Sequence, residues 1–233
     1  QAEILRQTAR TPEARNLLEE SLTTRRILLA ESPDSVDAAM DVVFAVEYQS
    51  QIVLQDGDAA KAKIALVEVN TILKGLSEKL PEDNDLKRRL GISLSRLADI
   101  AVKEGDLDLA SQLYGQDFAI ATDIYQRLPN SLIAKRDLCG SLDRIGNMSA
   151  QRGQLEKAME SYLESRRLRA ELLAAEPANT TVMYELFVSY IKGGYTQMLL
   201  NDVATAKEDY EKALMIADEM ARIDPTSAIA RRL

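Results

Sequence analysis

Five of the six prolines in the sequence, Pro33, Pro81, Pro129, Pro177 and Pro225, stand 48 residues apart. Proline lacks an amide hydrogen and pushes the residue before it out of helical geometry, so each one marks a helix boundary. An even ladder of such marks means one structural unit copied in tandem. Other columns keep the same beat. With each proline counted as position 0, position +24 reads Gly57, Gly105, Gly153 and Asn201. Position +29 reads Ala62, Ala110, Ala158 and Ala206, and position +33 reads Leu66, Tyr114, Tyr162 and Tyr210. Self-similarity of this length predicts a solenoid, an architecture used mostly to bind other macromolecules.

Each unit reads as an antiparallel pair of helices. Capping residues follow the prolines: Asp34 and Ser35, Asp83 and Asn84, Asn130 and Ser131, Asn179 and Thr180, Thr226 and Ser227. A first helix then carries apolar residues at +9, +13, +16 and +20, which share one helical face; in the third unit these are Leu138, Leu142, Ile145 and, as an exception, Ser149. Glycine at +24 adopts the left-handed conformation that ends a helix, and Asn is its closest substitute. Asp58, Asp106, Gln154 and Asp202 at +25 start a second helix, whose small +29 alanine permits close helix approach. The spacing predicts helices of about 20 to 22 residues, roughly 30 Å long.

At these positions the chain resembles the tetratricopeptide repeat, whose pattern W-x2-L-G-x2-Y, A-x3-F, P runs over about 34 residues. Leu142, Ile145, Gly146, Ala158 and Tyr162 fall on its W, L, G, A and F positions, and Tyr190, Gly194, Ala206 and Tyr210 repeat the match one unit later. The second Tyr of the pattern is Val53, Ala101, Ser149 and Gln197 here, and Gln49 and Ser50 make the first unit the weakest match. The longer repeat is accounted for by about two extra turns in each helix, which shift its apolar face by only about 20°. The resemblance implies an all-α, right-handed superhelical solenoid of antiparallel helix pairs. It also implies a bacterial signalling or regulatory protein in which such arrays flank other modules. One solenoid is expected over 1–233: a partial unit at 1–32, repeats at 33–80, 81–128, 129–176 and 177–224, and the start of a further unit at 225–233. A second-type helix is expected over 11–31, preceded at 1–8 by the tail of a first-type helix. The register runs to both ends, and there is no initiator Met, so the array is expected to continue beyond the sequence.

Composition narrows the function. There is no histidine and one cysteine, Cys139, so the commonest general base and any Cys/His zinc site are absent from the 233 residues. No enzyme, cofactor or metal is expected. A formal charge of −8, no Trp and 5% aromatic residues argue against nucleic acid as a partner. No apolar run approaches the roughly 18 residues of a membrane span, and residues 1–10 carry no signal-peptide pattern. The lone thiol suggests a reducing compartment, hence the cytoplasm. Cys139 reads as an inert small apolar residue.

The face of each first helix opposite its apolar stripe would line the concave surface. There the second and third repeats offer Arg88, Arg96 and Asp99, then Arg136, Arg144 and Asn147; the fourth offers Tyr184, Lys192 and Tyr195. These nine residues are the candidate partner-binding site, for a protein or peptide segment that is acidic or ends in a carboxylate. Two readings of the arginines stay open, ligand contacts or ion-pair ladders holding neighbouring units in register. Two other functions also stay open: self-association through the open repeat ends, and a small-ligand sensor. Arg166, Arg167 and Arg169 on a second-type helix read as a solvated outer face. Gly193 and Gly194 read as close helix packing.

Overall fold

The computed structural model describes residues 12–223, with side chains from Arg15 onward. Among the described residues there are nine α-helices and no strand. They are α1 (Pro12–Glu31), α2 (Val36–Gln55), α3 (Ala59–Lys79), α4 (Asn84–Glu104), α5 (Leu107–Arg127), α6 (Leu132–Gln151), α7 (Leu155–Ala175), α8 (Thr180–Leu199) and α9 (Val203–Ile223). Even-numbered helices are of the first type and odd-numbered ones of the second. The expectations for Pro225, 1–8 and 226–233 lie outside the described residues.

The proline ladder works as a helix terminator. The residue before each proline donates its N–H back to the carbonyl four residues earlier: Ser32 to Leu28, Leu80 to Leu76, Leu128 to Ile124 and Glu176 to Leu172, at 2.9–3.0 Å. Proline then takes the second place of a tight turn, closed by bonds of 3.0–3.1 Å from Ser35 to Ser32, Asp83 to Leu80, Ser131 to Leu128 and Asn179 to Glu176. The residue at +2 is the N-cap in all four repeats. Side-chain oxygens of Ser35, Asp83, Ser131 and Asn179 accept the N–H three residues on, at 3.0–3.3 Å.

The turn inside each repeat is equally uniform. Gly57, Gly105, Gly153 and Asn201 have φ of 84°, 82°, 72° and 61°. The N–H after each returns to the carbonyl at +20, from Asp58 to Val53, Asp106 to Ala101, Gln154 to Ser149 and Asp202 to Gln197, at 2.8–3.1 Å. This is the six-to-one bond of a left-handed helix end. Asp58, Asp106 and Asp202 then cap the second helix, whereas Gln154 makes no side-chain capping bond.

Packing divides the chain into two compact units, 1–113 and 114–233, and the division falls inside α5. In the first unit α1 packs on α2, α2 on α3 and α3 on α4. Its core joins Leu22, Val42, Val43, Val46, Val69, Leu73 and Leu86. In the second unit α6 packs on α7, α7 on α8 and α8 on α9. There Leu138, Cys139, Leu142, Leu168, Leu172 and Val182 form the core. The alanine column sets the helix spacing: Ala62, Ala110, Ala158 and Ala206 are all fully buried. At Gly146 the approach is closer still, since a Cβ there would lie 2.6 Å from the Tyr162 ring.

Forcing a side chain into the left-handed position should cost stability without altering the fold. Gly105→Ala is expected to lower unfolding free energy by about 1–2 kcal/mol, read as a lower urea midpoint at unchanged slope.

Candidate functional site

In the first unit the predicted residues lie on α4. Arg88 is half-buried and Asp99 exposed. Arg96 turns toward α2, where its Nη1 lies 3.5 Å from Glu47 Oε1. Arg89 joins the same carboxylate at 3.8 Å and lays its guanidinium 4.6 Å over the Phe44 ring. Positions +11 and +14 of one repeat are thus met by +8 and +15 of the next.

In the second unit α6 supplies Arg136, Arg144 and Asn147. Arg136 pairs with Glu176 at the end of α7. The hydrogen bond from Asn179, and next the Arg136 charge, hold the Glu176 carboxyl below the usual carboxylate range. Arg144 reaches Asp117 on α5 at 3.4 Å, and that buried carboxylate also accepts the Ser141 hydroxyl at 2.7 Å. Asn147 is exposed and its Oδ1 accepts the Tyr162 hydroxyl at 3.0 Å. Arg96, Arg136 and Arg144 therefore all meet acids of neighbouring helices.

The fourth repeat is different. Tyr195 is 61% exposed, and Tyr184, 39% exposed, stacks on Phe187 at 6.2 Å between centroids. Lys192 is half-buried, and its ammonium makes no hydrogen bond or ion pair among the described residues. Burial lowers its pKa; the Asp143 charge opposes that shift and the Arg169 charge adds to it. Asp143 is already occupied, since Arg169 donates to both its oxygens at 3.1 and 2.6 Å and the Ser165 hydroxyl at 2.9 Å. Lys192 is left as a poorly solvated cation beside exposed tyrosines, an arrangement suited to receiving an anion.

One expectation is corrected. Arg166 and Arg169 are not on a solvated face: both are buried, and only Arg167 is exposed, held between Glu164 and Glu171 on its own helix. Arg166 forks onto Asp209 of α9 at 3.0 and 2.8 Å, donates to the Ser189 carbonyl at 2.9 Å, and lies 4.4 Å over Tyr190. Gly193 makes the room, because a Cβ there would fall 1.7 Å from Arg166 Nη2. Arg169 joins Asp143 on α6 to Glu185 on α8, the latter at 3.3 Å. The signal was present in two pieces, the Gly193-Gly194 pair and the arginine cluster, but joining them requires knowing which helix faces meet.

Cys139 is buried, and burial pushes its thiol up to about 12. Among the described residues no group of three or more His, Cys, Asp or Glu side chains could hold a metal ion. No described helix is long and apolar enough to cross a membrane.

Comparison with known proteins agrees with this geometry. Residues 2–35 and 189–219 match models of the tetratricopeptide repeat. The structure is similar to that of BtubC (BKLC) from P. vanneervenii, with a TM-score of 0.55 and 16% identity over 90% of this chain and 92% of that one. It is also similar to MamA, with a TM-score of 0.52 and 12% identity over 90% and 94% of the two chains. A Podosopora anserina kinesin light chain protein of nearly identical TPR-like repeats gives 0.54 and 16% over 96% and 97%. No curated protein sequence matches significantly. Two segments of the chain thus match the tetratricopeptide repeat, and its fold is an all-α array of helix pairs similar to these repeat proteins. At these identities the structural likeness establishes the fold.

Removing one partner of the buried pair should be far more damaging than removing an exposed arginine. Asp209→Ala is expected to lose about 3–5 kcal/mol, against less than about 1 kcal/mol for Arg167→Ala, compared by urea unfolding. The thiol should be silent in the native state: iodoacetamide at mildly alkaline pH is expected to modify Cys139 only after denaturation, followed by mass spectrometry.

Proposed function

We propose that this chain is a non-enzymatic protein-interaction module, and that its second unit holds a partner segment against the first-type helices α6 and α8. The observation that carries the reading is Lys192, a half-buried residue whose ammonium has no ion-pair partner among the described residues. A lone cation kept partly out of water is costly unless something anionic completes it. The partner segment therefore presents a carboxylate, from an acidic side chain or a chain terminus, to Lys192. Exposed Tyr195 and Tyr184 on the same helix supply apolar contact. Arg144 and Asn147 on α6 line the neighbouring surface, with Arg144 the more reserved because Asp117 already draws it. The first unit has a weaker claim, since Arg96 is engaged by Glu47. The resemblance of its long repeats to arrays flanking signalling modules supports a place in a larger regulatory protein of the cytoplasm.

Selection from a library of displayed peptides with free C-termini tests this. Recovered sequences should be rich in Asp and Glu or depend on their terminal carboxylate, and should bind less tightly as salt rises. Lys192→Ala should weaken them about tenfold or more, as expected for a lost charged hydrogen bond; Arg144→Ala should do less. Salt-independent binding, or binding indifferent to Lys192→Ala, rules out the assignment.

A further inference from the structure

In the third repeat a phenol at +33 is combined with an amide at +18. The two columns read Gln51 and Leu66, Asp99 and Tyr114, Asn147 and Tyr162, Tyr195 and Tyr210, so the combination occurs once. Glycine at +17 lets the ring lie against α6, since a Cβ on Gly146 would fall 2.6 Å from Tyr162 Cε1. The tyrosine is 2% exposed, and its hydroxyl donates to Asn147 Oδ1 at 3.0 Å. Close packing of the ring leaves that hydroxyl little freedom to move. Asn147 itself is exposed.

A phenol proton in a protein interior has to be donated somewhere. Asp143, one turn before Asn147 on α6, is already taken by Arg169 and Ser165. Burial first, and then the Asp143 charge, push the Tyr162 phenol up to about 12, so at neutral pH it keeps its proton and acts as a donor. With Oδ1 of Asn147 accepting that proton, Nδ2 is turned the other way. The Asn147 side chain makes no other hydrogen bond among the described residues, which leaves both Nδ2 hydrogens for solvent or a ligand. The Asp143 charge also acts on the Lys192 ammonium. Helices α6, α7 and α8 thus gather the amide, the phenol and the ammonium around one carboxylate.

We propose that Tyr162 is a positioning residue that sets specificity: it holds Asn147 with its NH2 outward, so that the surface beside Lys192 offers donors only and takes a carboxylate in preference to a carboxamide. This rests on the assignment of the partner's carboxylate to Lys192 and adds the reason for the choice. An asparagine free to rotate can present either end, and would turn Oδ1 toward the NH2 of a carboxamide. Asn147 cannot do so without leaving the Tyr162 proton unpaired in the interior. Tyr162 touches no ligand and acts through Asn147.

Titration of the 233-residue chain with two synthetic peptides tests it: hexaglutamate with a free C-terminus, and hexaglutamine with an amidated one. The parent is expected to prefer hexaglutamate. Tyr162→Phe keeps the ring against Gly146, with helicity by circular dichroism unchanged, and should reduce that preference by about threefold to tenfold, the worth of one hydrogen bond. In an Asn147→Ala background the same change should do nothing further. The side-chain NH2 resonances of Asn147 in the parent should also shift when hexaglutamate is added, a reading that needs no variant. An unchanged preference in Tyr162→Phe overturns the proposal, as does an effect that persists in full without Asn147. So do Asn147 resonances indifferent to the bound peptide. Binding abolished by Lys192→Ala, with the preference intact in Tyr162→Phe, keeps the Lys192 assignment and removes this one. A parent that binds hexaglutamate no better than hexaglutamine removes both.

Discussion

A helix of this length can continue indefinitely unless something stops it, and in this protein the stopping devices set everything else. Two alternate: a proline turn whose +2 residue caps the next helix, and a left-handed residue at +24 that folds the last carbonyls back on themselves. Both satisfy backbone groups that a helix end would otherwise leave open. Because they recur at fixed intervals, each helix begins in the same rotational phase, and within each unit consecutive helices pack against one another. The buried alanine column and the close approach of Gly146 to Tyr162 follow from that phase rather than from separate adjustments.

Within that scaffold the second unit spends its polar residues unevenly. Arg166 with Asp209, and Arg169 with Asp143 and Glu185, tie α7 to α9 and α6 to α8 through groups mostly out of water. Such pairs add little net stability over apolar packing, but they penalise any arrangement in which a partner is missing. A repeat protein has many near-equivalent surfaces, and a charge that fits only one partner discriminates among them. Gly193, which leaves room for the Arg166 guanidinium, marks that joint as distinct from its neighbours. Against these completed groups, Lys192 stands out as a half-buried lysine whose ammonium makes no ion pair among the described residues.

Binding modules built on repeats gain specificity by varying columns that the fold does not need. Position +14 is a case in point. It holds Glu47 facing Arg89 and Arg96 in one repeat, Asp143 facing Arg169 in another, and Ile191 in the fourth. The scaffold tolerates each because the columns that fix helix spacing, +24, +29 and +33, lie elsewhere on the helices. One column can thus hold a charged or an apolar residue without disturbing the packing beneath it.

The proline-side caps, the left-handed turn at +24 and the buried alanine column were legible in the sequence, because they depend on residues close in the chain and recur four times. By contrast, Tyr210 of the +33 column is exposed and Gln154 makes no capping bond. Proline at 0, a capping oxygen at +2, a left-handed residue at +24 and alanine at +29 act locally, so repetition averages away the noise of any single position. The candidate site was legible only as a set of positions on one helix face. Sequence spacing could not say that Arg96 meets Glu47, that Arg136 meets Glu176, or that the Lys192 ammonium makes no ion pair among the described residues. Nor could it place Arg166 and Arg169 in the interior, since arginine on a surface helix and arginine at a helix joint look alike in one dimension. Those outcomes rest on side chains some 40 residues apart reaching the same few ångströms, which only the packing of one helix against another decides.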